Sequence, residues 1–109
     1  MELLRFELIQ GDPPALRIDG EIDLSTADQL RTALDKAYSA DPTVVLDMAA
    51  VTFLDATGLR VLLQVAATRN GAGPLPLVNA SRVAWLLELV GLSGLTSIDI
   101  RDPGEARGR

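Results

Sequence analysis

Apolar residues recur along this chain with two spacings, every second residue and about every 3.6 residues, and the switches between them mark out the elements. Leu4, Phe6 and Leu8 alternate with Arg5 and Glu7; beyond Gly11-Asp12-Pro13-Pro14, Leu16 and Ile18 alternate with Arg17 and Asp19. Alternation of this kind belongs to half-buried strands, and the Gly-Asp-Pro-Pro turn joins them as a hairpin. Gly20-Glu21-Ile22-Asp23-Leu24 reads as a loop or frayed strand end. Ser25 or Thr26 then offers an N-cap, and Thr26 with Gln29 makes a capping box. Ala27, Leu30, Leu34 and Ala37 or Tyr38 form the stripe of a first helix, which stops before Asp41-Pro42 because proline disfavours helix in the residue preceding it.

The middle of the chain, Val44 to Ala67, organises the rest. Val44-Val45-Leu46 is short, β-branched and apolar, as in a buried strand of a parallel or mixed sheet. It leads through Asp47 and Val51-Thr52-Phe53-Leu54 into a short loop, Asp55-Ala56-Thr57-Gly58, after which Leu59, Leu62, Leu63, Ala66 and Ala67 recur at helical spacing. Gly71-Ala72-Gly73-Pro74 is a turn; it lacks the remaining glycine and the Lys-Ser/Thr ending of a phosphate loop. Leu75 to Val78 makes a fourth strand, with Pro76 at a strand start, edge or bulge because it cannot donate to a ladder. Asn79-Ala80-Ser81 opens a third helix with Val83, Leu86, Leu87 and Val90 as its stripe and Gly91 as its C-cap. Trp85 and Leu89 stand four apart off that stripe; the preferred reading has them extend the core contact, the other makes them an exposed apolar patch. Thr96 to Ile100 is a last strand with Ile98 and Ile100 inward, and residues 101–109 read as a flexible tail. Strands alternating with helices after a hairpin give an α/β class with a mixed sheet, in one domain over residues 1–100.

Composition then narrows the chemistry. The 109 residues include no Cys and no His, which removes disulfides, thiolate chemistry, the usual general base and the commonest zinc ligands. A net charge of −5 argues against a direct nucleic-acid partner. No run reaches the ~18 apolar residues of a membrane span, and Met1 to Glu7 carries no secretory pattern, so the expected location is the cytoplasm with no direct membrane contact. No cofactor is implied.

Two stretches carry candidate chemistry. At the central loop, Asp55 or Thr57 can cap the following helix and Gly58 can permit close packing. The same helix start favours a negative group, so a phosphoryl group on a hydroxyl there would be accommodated, and its nearly two charges beside Asp55 would repel a partner fitted to the unmodified turn. Asp19, Glu21 and Asp23 stand at i, i+2 and i+4, which would project three carboxylates to one side of an extended segment. A solvated acidic loop is favoured there over a magnesium site, because Gly20 loosens the geometry and no fourth ligand is near. In a third reading Asp23 is a partner contact beside the central turn, which requires both to lie at one end of the sheet.

Gly20-Glu21-Ile22-Asp23, Val45-Leu46-Asp47, Phe53-Leu54-Asp55-Ala56-Thr57-Gly58-Leu59 and Val90-Gly91-Leu92 together resemble the landmarks of the STAS domain, specifically the bacterial anti-sigma factor antagonists, over about residues 3 to 100. The resemblance implies a mixed sheet of four or five strands with helices mainly on one side, and a protein-binding switch rather than an enzyme. In that family the unphosphorylated antagonist binds an anti-sigma factor that is also a Ser/Thr kinase, freeing a sigma factor; phosphorylation by the kinase ends the binding. The implied partner surface comprises Glu21, Asp23, Ser25, Thr26, Asp55, Ala56, Thr57, Gly58, Leu59 and Arg60. Ala56 departs from the pattern, since it stands where the family usually has the phosphate-accepting Ser; Thr57 is the nearest remaining hydroxyl. Three outcomes follow: an antagonist without the usual off-switch, which is favoured; Thr57 as substitute acceptor; or another STAS role, such as the subunit of an ABC lipid-transport system that binds its ATPase. The oligomeric state is left open.

Overall fold

The computed structural model describes residues 3–69 and 71–101. Five strands form one sheet in the order β1-β2-β3-β4-β5: β1 (Arg5–Ile9), β2 (Ala15–Ile22), β3 (Val45–Leu54), β4 (Leu75–Val78) and β5 (Ile98–Arg101). The β1–β2 hairpin is antiparallel and every later pairing is parallel, so the sheet is mixed. Three helices, α1 (Ala27–Ala40), α2 (Ala56–Ala67) and α3 (Ser81–Leu89), make the crossovers. Successive right-handed crossovers that advance one strand at a time put their helices on one face. The other face carries Arg5, Glu7, Arg17, Asp19 and Asp47, which is why the alternation along β1 and β2 is so plain.

The core lies between sheet and helices. Ile18, Ile22, Leu30, Leu34, Leu46, Leu62, Leu75 and Leu77 are fully buried. Tyr38 reaches into its edge, where the hydroxyl donates to Val44 O at 2.9 Å and the Arg69 guanidinium lies 4.7 Å from the ring centroid. Burial pushes the phenol up to about 12, against the cation's opposing pull. The unfolded phenol titrates near ~10, so the stability held by neutral Tyr38 is full below that pH and is lost as pH rises toward the folded value. Tyr38→Phe is expected to cost about 1 kcal/mol at neutral pH and to flatten the alkaline loss, read from urea midpoints across pH. As this is the single tyrosine, absorbance titration of the wild type reports its pKa directly.

Several local expectations give way to tertiary contacts. The acidic segment from Gly20 is not a loop: β2 continues to Ile22 because Gly20, Glu21 and Ile22 pair with Val51, Phe53 and Leu54. The central strand is correspondingly long, ten residues rather than a short run, and only Asp55 separates it from α2. Asp47 survives within it because its carboxylate accepts from Ala49 N and from Asn79 Nδ2. The expected capping box does not form, since Gln29 Oε1 accepts instead from Leu4 N at 3.1 Å and ties β1 to α1.

On α2, Val61 and Val65 are buried and Ala67 is exposed, so the buried face is broader and rotated from the expected stripe. The helix packs against α1, α3 and β3 at once, and each neighbour covers part of its surface. Pro76 lies in an interior strand, not at an edge. Leu75 N donates to Ser97 O on the β5 side, so position 76 faces β3, where the ladder begins only at Leu77. Gly91, at φ +79, follows the last turn of α3, with Leu92 N bonded to Leu87 O and Gly91 N to Glu88 O, the left-handed stop that glycine favours. Val90 is exposed at that stop, and Ile100, paired with Leu77 on the inner face of the edge strand β5, is still 39% exposed because no further strand flanks it. Arg101 pairs with Val78 as the last residue of β5, and the tail expected beyond it lies outside the described residues.

Candidate functional site

β2 and β3 run parallel and finish side by side, Asp55 N donating to Ile22 O at 3.2 Å. The turn after β2 and the start of α2 therefore meet at the carboxyl end of the sheet, which places Asp23 beside the central turn. In α/β sheets this is where ligands and partners are met, because helix N-termini converge there.

The turn after β2 is held by its own side chains. Asp23 Oδ1 accepts from Ser25 Oγ at 2.7 Å and from Ser25 N at 2.9 Å. The Ser25 hydroxyl, with the backbone N–H groups of Ser25 and Thr26, holds the Asp23 carboxyl below its ordinary range, so it is charged at neutral pH. Thr26 is 1% exposed; its hydroxyl donates to Glu21 O at 2.8 Å and accepts from Asp23 N at 3.0 Å. That hydroxyl thus closes the turn rather than capping α1. Ser25 stands exposed at the rim, with Glu21 half-buried behind it.

Across from this turn, Asp55 caps α2 by accepting from Gly58 N at 3.0 Å, while Leu59 N bonds to Asp55 O. Ala56, the first residue of α2, is exposed, Thr57 is half-buried and Arg60 is exposed. Gly58 and Leu59 face inward and hold the helix start against the sheet. At Gly58 a methyl group would fall on Ile22 Cγ2 and lie 2.7 Å from Leu54 Cδ1, so only glycine lets α2 start this close to β2 and β3.

The acidic triplet is not gathered. Gly20, at φ +128, and a register shift between Gly20 and Glu21 interrupt the alternation that would align Asp19, Glu21 and Asp23. Among the described residues, no group of three such side chains is placed to hold a metal ion. No helix among them is long and apolar enough to cross a membrane.

Apolar residues complete the surface, and most were not legible beforehand. Leu24 is 78% exposed at the tip of the Asp23 turn, and Phe53 is 46% exposed at the end of β3. Trp85 and Leu89, preferred as core contacts, project outward at 63% and 65% exposure. Phe53, Leu54, Ser81, Arg82 and Trp85 line an open cavity of about 540 Å³ next to the turn. The one signal for Leu24 was an aliphatic residue among turn-forming neighbours.

A family model described as Mlab, STAS domain, matches residues 7–100. The chain belongs to the STAS domain family. This STAS domain is also 46% identical over 48 residues to the anti-sigma-F factor antagonist RsfB of Mycobacterium tuberculosis. That alignment spans 43% of this chain and 39% of the relative's length. An anti-sigma factor antagonist from Mycobacterium paratuberculosis superposes with a TM-score of 0.69 at 23% identity, over 88% of this chain and 85% of the other. The antagonist SpoIIAA in its unphosphorylated form superposes with a TM-score of 0.63 at 20% identity, over 97% and 96% of the two chains. The sheet, its three helices and their order are those of the SpoIIAA-like STAS fold.

Proposed function

We propose that this STAS domain is a cytoplasmic anti-sigma factor antagonist, a binding module rather than an enzyme, and that its partner is an anti-sigma factor of the Ser/Thr kinase type. The observation that carries the reading is the exposed Ala56 in the first turn of α2, at the same end of the sheet as the ordered Asp23 turn. Exposed apolar residues at the rim, Leu24 and Phe53, supply the kind of surface that a protein partner buries. The identity to an anti-sigma-F factor antagonist supports the partner class.

At position 56 the chain has no oxygen to phosphorylate, so the partner kinase has no handle for ending the complex. Thr57 follows by one helical residue, which turns its side chain ~100° around the axis. A kinase fitted to position 56 is therefore not automatically placed to reach 57. The expected result is no mass gain when the wild type is incubated with the kinase and ATP, and addition of one phosphate to Ala56→Ser under the same conditions. Phosphate mapped to Thr57 of the wild type would overturn the absent off-switch and make Thr57 the acceptor.

A second STAS role, the subunit of an ABC lipid-transport system bound to its ATPase, also needs no acceptor at position 56, and the family whose model spans residues 7–100 is the Mlab type of STAS domain. Affinity capture from the source cell separates the two: a small kinase-like protein supports antagonism, a membrane-associated ATPase the transport role.

A further inference from the structure

We propose that two copies of this domain associate through the free edge of β1, continuing the sheet across a two-fold axis at Phe6. β1 is an edge strand, paired only with β2. Edge strands are ordinarily blunted by shortness, charged side chains, proline or a bulge; the charges of β1, Arg5 and Glu7, are of opposite sign and so can pair across a two-fold axis instead of repelling a second copy. β1, Arg-Phe-Glu-Leu-Ile, has no proline or lysine and pairs with β2 without a register shift. At its two ends Leu3 is 62% exposed, Leu8 52% and Ile9 40%, large apolar residues that the rest of the chain leaves uncovered. Phe6 and Leu8 also wall an apolar cavity of about 430 Å³ against Ala33 and Ala37 of α1, open beside the same edge.

The charges select a second copy as the occupant and set its register. In antiparallel pairing that keeps both helical layers on one side, Phe6 opposite Phe6 places Arg5 of each copy opposite Glu7 of the other. Shifting the axis to Glu7 sets two carboxylates face to face, and shifting it to Arg5 sets two guanidinium groups face to face; like charges directly opposite are unfavourable. Within each chain, Arg5 already stands opposite Asp19 and Glu7 opposite Arg17 on β2. Pairing at Phe6 therefore makes two rows that alternate in sign across both molecules, Asp19-Arg5-Glu7-Arg17 and its reverse. Among the described residues neither Arg5 nor Glu7 has an ion-pair partner within the chain. On the helical side Leu8 of each copy comes opposite Leu4 of the other.

The contact is isologous and closes after two copies. Five residues of strand are a small interface, so association belongs to the weak, concentration-dependent class. Since β2 separates this edge from β3, the Asp55 turn of each copy stays free, and the dimer is bivalent toward a partner bound there.

Sedimentation velocity over a concentration series tests the proposal with the full chain. The wild type is expected to shift from monomer to dimer as concentration rises. Arg5→Glu alone and Glu7→Arg alone are each expected to remain monomeric, because each puts like charges opposite across the axis. An equimolar mixture of the two variants is expected to recover the dimer, since each variant complements the other, and a variant that merely folds poorly would not be rescued in this way. A wild type that stays monomeric throughout, a dimer that persists in both single variants, or a mixture that stays monomeric would each overturn the proposal.

Discussion

Replacing Ala56 with glutamate is expected to lower the affinity of this STAS domain for the anti-sigma factor proposed as its partner about 100-fold, or about 2.7 kcal/mol. The side chain at 56 is exposed at the first position of α2, and the neighbouring Asp55 carboxylate is committed to Gly58 N. A second carboxylate there sits beside Asp55 and Asp23 on a surface that a partner must desolvate, and its charge goes unpaired. Folding responds with the opposite sign. An acid in the first turn of a helix is favourable by about 0.3–1 kcal/mol, so the variant should unfold at an equal or higher urea concentration than wild type. Loss of binding with retained stability would isolate the charge at the turn as the cause. Ala56→Gln, similar in size and neutral, is expected to bind within a few fold of wild type. Unchanged affinity in the glutamate variant would move the contact to the Phe53 and Trp85 face.

Gly58→Ala is expected to destabilise the domain by about 1–3 kcal/mol, seen as a lower urea midpoint at unchanged slope. Two effects compete. Alanine in place of glycine favours a helix by about 1 kcal/mol where space is open. Here the new methyl group lands on Ile22 Cγ2, a branch fixed at the β-carbon of a fully buried strand residue, and 2.7 Å from Leu54 Cδ1. Leu54 can turn its end away; Ile22 cannot do so without moving β2. Overlap therefore outweighs propensity. Gly94→Ala, with open space around it and no left-handed backbone requirement, is the control and should change stability by no more than about 0.5 kcal/mol. Because Gly58 sets the distance of α2 from the Asp23 turn, its alanine variant should also weaken partner binding.

Much of the site could be read from residue order. The Asp55 cap and the missing hydroxyl at 56 each depend on groups within four residues of one another, and cap chemistry at that range is decided locally; the glycine at 58 signals close packing, but Ile22, which it packs against, comes from β2. The Thr26 and Gln29 pair shows where such reasoning stops. Its spacing satisfies a capping box, yet both side chains bond elsewhere, Thr26 to Glu21 O and Gln29 to Leu4 N. A local hydrogen bond competes with any other that the fold brings within reach, and spacing alone does not register the competitors.

By itself the sequence determined the hairpin, three helices with their approximate bounds, the parallel crossovers and the residue types at the turn, because period, proline and glycine act over one or two helical turns. Tertiary structure decided how far β2 and β3 extend, since Gly20 to Ile22 are strand only through pairing with Val51 to Leu54. It decided which sides of α2 and α3 are covered, burying Val65 and leaving Trp85 outside. It also set the Asp23 turn against Asp55, an adjacency that the alternation of strands and helices permits and that the pairing of β2 with β3 fixes. Burial and strand pairing are properties of what lies opposite a residue, and what lies opposite is known only when the chain has folded.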